Sequence, residues 1–159
     1  MSDNIPMHQG LTAFLMPLGP SMWHEFALGM DFADPHSTID LLLAADAITT
    51  HPDCDRATAA LILAKAGAAG FHRGEVPKGY DETAARAFAI RLTDAMVTGG
   101  FAAVKYGLPP EALRLVIRQL GPRGPLPLPP LSLGHGAHSP RFGFAGWRAV
   151  PHPAEARRA

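Results

Sequence analysis

Residues 51–71 read His-Pro-Asp-Cys-Asp-Arg-Ala-Thr-Ala-Ala-Leu-Ile-Leu-Ala-Lys-Ala-Gly-Ala-Ala-Gly-Phe, a helix written with its own stop and start signals. Pro52 halts whatever helix precedes it, because a residue before proline avoids the αR region. Asp53 or Asp55 then supplies an N-cap oxygen for a helix over about residues 56–69. In that helix Ala57, Ala60, Leu61, Ala64 and Ala68 share one face, with Ile62 and Leu63 at its flanks. The alanines leave room for close approach by neighbouring helices. Gly67 weakens the helix and Gly70 ends it. The apolar run from Ala57 to Phe71 is fifteen residues long and contains Thr58 and Lys65, too short and too mixed to span a bilayer.

Working upstream, Ser37 is a good N-cap for a helix over residues 38–49, with Asp40 adding charge to its first turn. Ile39, Leu41, Leu42, Leu43, Ala44, Ala45, Ala47 and Ile48 make that helix apolar on most of its circumference, which places it in the centre of a bundle. Before it, Ser21 is expected to cap a first helix over residues 22–30 carrying Trp23, Phe26 and Leu28. Downstream, Asp81 caps the most regular helix. There Ala84, Ala85, Phe88, Ala89, Leu92, Ala95 and Met96 form one stripe, and Glu82 and Arg86 are an i,i+4 pair. Gly99-Gly100 stops it. Pro109-Pro110 signals the start of a last helix, residues 111–120, expected to bury Leu113, Val116, Ile117 and Leu120 and to expose Arg114 and Arg118. No alternating β pattern and no internal repeat interrupts this series. The expected fold is all-α, a compact bundle of about five helices with an irregular Pro/Gly-rich C-terminal tail.

Composition agrees: 159 residues, 47% hydrophobic and 18% charged, suit one globular domain with an appendage. Residues 1–120 form the expected helical domain, and residues 121–159 the tail, with eight Pro and six Gly in thirty-nine positions. Proline-rich chain of that kind cannot be helix interior and favours an extended conformation. The net charge of zero hides an asymmetry: nine Lys/Arg against thirteen Asp/Glu in the body, a balance of −4, and five Arg against one Glu in the tail, +4. An acidic body argues against nucleic acid as a ligand, since phosphate neutralisation needs a basic face. Within the tail, Phe142, Phe144 and Trp147 are too aromatic for a solvated linker and are expected to lie on the body as a weak, partly electrostatic lid. The first Lys or Arg is Arg56, and Pro6, Pro17 and Pro20 interrupt the early apolar residues, so no secretory signal is read and a cytoplasmic location without membrane contact is expected.

Chemistry-bearing side chains are densest at His51, Pro52, Asp53, Cys54 and Asp55. His, Cys and Asp can all ligate zinc, but no second pair at convincing spacing completes a tetrahedron. The better reading is local structure: proline breaks one helix, an aspartate caps the next, and Cys54, the single cysteine, packs as a small hydrophobe. His135 and His138 make a weaker half-site in the tail. His24-Glu25 lacks the second histidine of a zincin helix, and neither a nucleophile elbow nor a phosphate-binding glycine loop is present. The segment around Tyr106-Gly107-Leu108, followed by Arg114 and Arg118, could imitate a helix-turn-helix, although the acidic body favours an ordinary corner between helices.

The run from His51 to Leu61, with Pro52, Cys54-Asp55 and Thr58-Ala59 at the start of an apolar helix, resembles the central motif of the bacterial domain of unknown function 4274 family. Trp23-His24-Glu25-Phe26-Ala27, leading to Asp34, resembles that family's early helix and acidic turn, so the resemblance covers about residues 20–120. It implies an all-α bacterial domain with Pro52, Cys54, Asp55 and Thr58 as motif residues, and implies no activity. Small helical proteins of this kind often serve as immunity or accessory proteins. The expectation is therefore a protein-interaction protein, immunity-type, with a basic protein partner and no cofactor. The alternative is a small metal protein or enzyme built on His51, Cys54 and Asp55, with His24 or His72 brought in by folding.

Overall fold

The computed structural model describes residues 7–34 and 38–135. Among them six α-helices form: α1 (Met7–Leu15), α2 (Pro20–Gly29), α3 (Thr38–Thr50), α4 (Arg56–Ala68), α5 (Glu82–Val97) and α6 (Pro110–Leu120). Short 3-10 turns lie at Met16–Leu18 and Phe71–Arg73. The all-α architecture is as expected, with no strand among the described residues and one isolated parallel bridge, Asp55 to Ala103. No described helix is long and apolar enough to cross a membrane.

Two expectations are corrected at the N-terminal end. A helix at Met7–Leu15 precedes the expected first one, raising about five helices to six. It is only nine residues long, and packs against α3. The second helix begins at Pro20, not after a Ser21 cap: its N-cap is Gly19, at φ +89°, with no side-chain cap. Proline suits the first helical position, where its missing N–H has no partner to lose.

The central helix is α4, not α3. Every residue from Ala57 to Ala64 is buried, as are Ala66 and Gly67, while Ala68 is exposed. Packing on α2, α5 and α6 surrounds it. Its small side chains allow the close helix approach that a central position needs. On α3, Leu41, Ala44, Ala45 and Ile48 are buried, but Leu43 is 40% exposed. That helix lies at the edge, between α1 and α5.

On α5 the expected stripe holds for Ala85, Phe88, Ala89, Leu92 and Met96, but Ala84 is exposed. Phe88 joins Phe32, Phe71 and Tyr80 in an aromatic cluster, with Phe32 and Phe71 ring centroids 4.7 Å apart. On α6, Val116 and Leu120 are buried, whereas Leu113 and Ile117 are 38% and 60% exposed, contrary to expectation. Its helix partner is α4, and its apolar face is wider than what is covered.

Gly121 ends α6, yet the chain stays on the body beyond that expected boundary. The amides of Leu126 and Leu128 donate to the carbonyls of Gln119 and Leu120, both at 2.9 Å. Leu128 is buried, and Leu126, Leu131 and Leu133 pack against the core. Phe142, Phe144 and Trp147, like His138, fall outside the described residues.

At the end of α4 the chain reverses through Gly70, whose φ is +84° and where an added Cβ would lie 2.4 Å from the Glu75 carbonyl oxygen. Gly70→Ala is expected to lower stability by about 1–3 kcal/mol from the left-handed backbone alone, with the collision adding to it. Thermal melting of the variant beside wild type measures the loss, and an unchanged midpoint would show that the reversal is not held in this form.

Candidate functional site

Asp55 performs the capping role read from the sequence and a second one that was not visible there. Its Oδ2 accepts the Ala57 N–H at 3.0 Å, closing the first turn of α4. Its Oδ1 accepts the N–H groups of Lys105, at 2.5 Å, and Tyr106, at 3.3 Å, fifty residues away. The carboxylate is only 1% exposed, and these amides provide the donors that a buried charge requires.

Arg56 treats the same loop from the carbonyl side. Its backbone N–H donates to Ala103 O at 2.8 Å, and its guanidinium donates through Nε and Nη2 to Phe101 O and through Nη1 to Ser132 O. His24, on the buried face of α2, completes the attachment: Nε2 lies 2.9 Å from Gly107 O and Nδ1 lies 2.8 Å from the Thr58 hydroxyl. Because a carbonyl only accepts, Nε2 carries the donated proton. The His24 ring stacks on Tyr106 with centroids 4.9 Å apart.

These contacts fasten residues 101–107 across the N-terminal ends of α2 and α4 and leave a cleft of about 530 Å³ between them. Leu18, Pro20, Pro52 and Tyr106 supply apolar wall, and Ser21, Asp53 and Lys105 supply polar groups. Trp23 braces one side, donating its indole N–H to Leu15 O at 2.8 Å and meeting the His51 ring edge-on at 4.8 Å. His51 Nδ1 in turn accepts the Asp53 N–H at 3.0 Å.

The residues singled out in the His51–Thr58 motif are thus near one another in the fold but committed to different tasks. Pro52 and Asp55 line the cleft, Thr58 bonds His24, and His51 holds the turn. Cys54 is fully buried, with its Sγ 3.5 Å from Asp55 O. Burial, reinforced by the Asp55 charge, pushes its thiol from 9.0 up to about 12. That is the opposite of an activated nucleophile. Among the described residues no group of three or more His, Cys, Asp or Glu side chains is placed to hold a metal ion. His72 lies beside Arg73 and His135 is exposed. Nor is the Tyr106-Gly107-Leu108 segment a helix-turn-helix corner: twelve residues separate Val97 from Pro110, where that motif uses about three or four.

Sequence reasoning missed Lys105, Tyr106 and Gly107 as members of the site. Their attachment to Asp55 and His24 runs through backbone groups, which carry no signature in residue type, and the stacking of Tyr106 on His24 depends on contacts far apart in sequence. Comparison of the chain with protein-family models, with curated proteins and with solved structures finds no match in any of the three.

Two outcomes are expected of this arrangement. Asp55→Ala leaves three amides without their acceptor and should cost about 3–5 kcal/mol, at about 1–3 kcal/mol per buried orphaned group with partial relief by water. Asp55→Asn keeps one carbonyl oxygen and should cost less than half as much. Denaturant titration of both checks this, and equal losses would mean that charge rather than acceptor geometry is what the site needs.

The second outcome concerns Cys54, which should resist alkylation in the folded chain at pH 8 and react once denatured. Because its folded pKa lies above its unfolded one, the unfolded chain loses the proton first as pH rises. The contribution is therefore intact below about pH 9 and lost progressively towards about pH 12. Rapid alkylation of the native protein would contradict the burial.

Proposed function

We propose that this is a small cytoplasmic helical protein, of immunity type, that binds one basic protein partner, using the cleft between α2, α4 and residues 101–107 as its recognition site. The observation that carries the reading is the division of labour around that cleft. Asp55, Arg56, His24 and Thr58 spend their hydrogen bonds on fixing its walls, whereas Leu18, Pro20 and Tyr106 offer it apolar lining beside the exposed Asp53. A preformed, partly apolar hollow with a few polar groups is the usual form of a binding site.

The acid at the cleft supports a basic partner more than the charge of the body as a whole does. Of its thirteen acidic residues, Glu25, Asp40 and Asp55 are buried, and Asp46 and Glu75 pair with Arg91 and Arg73. Asp53, Asp81, Glu82, Asp94 and Glu111 are exposed. Exposed Lys78, Arg86, Lys105, Arg114 and Arg118 stand among them, so the attraction for a cationic group is local to Asp53 at the cleft.

The test compares two charge reversals of equal size. A partner retained by the wild-type chain should be lost, with affinity reduced at least about tenfold, in Asp53→Arg, and kept in Glu82→Arg on the exposed start of α5; tenfold corresponds to about 1.4 kcal/mol. Equal weakening by both would point to diffuse electrostatics without a site, and no change in either would remove the cleft from the binding reading.

A further inference from the structure

The side of α5 turned away from the core carries an arrangement that packing within the chain does not explain. At about 100° per residue, the buried stripe of Ala85, Phe88, Ala89, Leu92 and Met96 takes one side of the helix, and Ile90 stands near the middle of the other. Ile90 is 50% exposed, and Val97, two turns on, is 53% exposed. Thr83, two turns before Ile90, is exposed as well. Arg86 and Asp94 flank this ridge, one turn before Ile90 and one turn after it. Both are exposed, and neither takes part in an ion pair among the described residues. Arg86 forms none even with Glu82, although the two are in i,i+4 register.

The ridge and its charges are complementary to themselves. Let a second α5 lie antiparallel across the first, with the two Ile90 side chains meeting at the two-fold axis. Arg86 of each chain then comes level with Asp94 of the other, because both lie the same number of residues from the axis. Two ion pairs frame the isoleucine contact, and Val97 of each chain lies by Thr83 of the other. In a parallel pair arginine would face arginine and aspartate would face aspartate, so the charges select the antiparallel sense. The exposed apolar strip of α6, Leu113 and Ile117, lacks this balance. Arg114 and Arg118 stand beside it, and the one acid of that helix, Glu111, lies in its first turn, so two copies of α6 would set arginines against one another.

We infer that α5 is the seat of a symmetric dimer of this protein, in which the exposed ridge of one copy is covered by the antiparallel α5 of a second. The helix has 16 residues and is therefore about 24 Å long. A contact of that length and one helix wide covers on the order of 500 Å² over both copies, short of the roughly 1,200–2,000 Å² of stable complexes. The dimer is accordingly weak and forms at high protein concentration. None of the residues lining the cleft lies on α5, so the inference stands apart from the function proposed for the cleft.

Sedimentation equilibrium of the full chain, from about 10 μM to about 1 mM, tests this over the range of weak association. The wild-type mass should rise from that of one chain towards that of two. Arg86→Glu and Asp94→Arg each turn both attractive pairs into repulsive ones and should weaken association at least about tenfold. An equimolar mixture of these two variants restores opposite charges at both contacts and should dimerise at least as well as wild type. The chain carrying both changes keeps the wild-type net charge and should return to within about threefold of wild-type association. Arg114→Glu changes net charge as Arg86→Glu does and should leave the equilibrium unmoved. Ile90→Cys, oxidised with copper phenanthroline, should link into a covalent dimer, since helix axes about 8–10 Å apart bring the two Cα atoms within disulfide reach. Cys54 is buried and leaves the new thiol as the accessible one. Ile117→Cys treated alike should stay a single chain. The mass of one chain at about 1 mM would overturn the inference. Equal weakening by Arg86→Glu and Arg114→Glu overturns it too, as diffuse charge would then drive association. Cross-linking of the Ile117→Cys chain in place of the Ile90→Cys chain moves the contact to α6 and likewise ends it.

Discussion

Three backbone amides from two distant parts of the chain converge on one buried carboxylate, that of Asp55. Residues 101–107 have no neighbouring strand beyond a single bridge, so their N–H and C=O groups would stand without partners against the body. Asp55 takes their donors and Arg56, the next residue, takes their acceptors. An acid and a base adjacent in sequence thus serve both halves of a peptide backbone. His24 repeats the device from α2 by bonding Gly107 O. Without these contacts the loop has no fixed place, and the cleft loses its wall.

The same logic extends along α4. Its middle is apolar and small, which suits it to the centre of the bundle, and its polar residues sit towards its two ends. Near the far end Lys65 donates to Leu28 O and Met30 O, at 3.0 and 2.6 Å, meeting carbonyls at the C-terminal end of α2 that no further helical turn satisfies. Burial draws the Lys65 pKa down from 10.5 to about 8, with Asp31 opposing the fall. The central helix therefore does two things. It provides a surface for α2, α5 and α6 to pack on, and it grips the irregular segments by their backbones.

A cleft built in this way is firm on the side of α4 and the 101–107 loop and open at Asp53, which takes no part in the clamp. The residues that hold the loop and the exposed Asp53 at the cleft are thus different ones. The thiol and carboxylate that the sequence offered for chemistry are spent on packing and backbone bonds.

Local signals were legible in the sequence because their causes are local. Asp55 and Asp81 cap the helices that follow them, Pro52 marks the break after α3, and Gly70 makes the reversal after α4, each within a few residues of its effect. The nine-residue α1 was missed because Pro6 and Pro17 bracket it closely enough to look like disruption. Helical period showed that α6 has an apolar face, but not that α4 would cover only part of it and leave Leu113 and Ile117 exposed. Apolar composition likewise could not decide which of α3 and α4 is central, since that depends on how closely neighbours can approach. The site was the least legible part. His24 meets Gly107 across 83 residues and Asp55 meets Lys105 across 50, and in both cases one partner is a peptide group that every residue possesses. Which peptide group a side chain will meet is set by the packing of helices, and only the tertiary structure decides it.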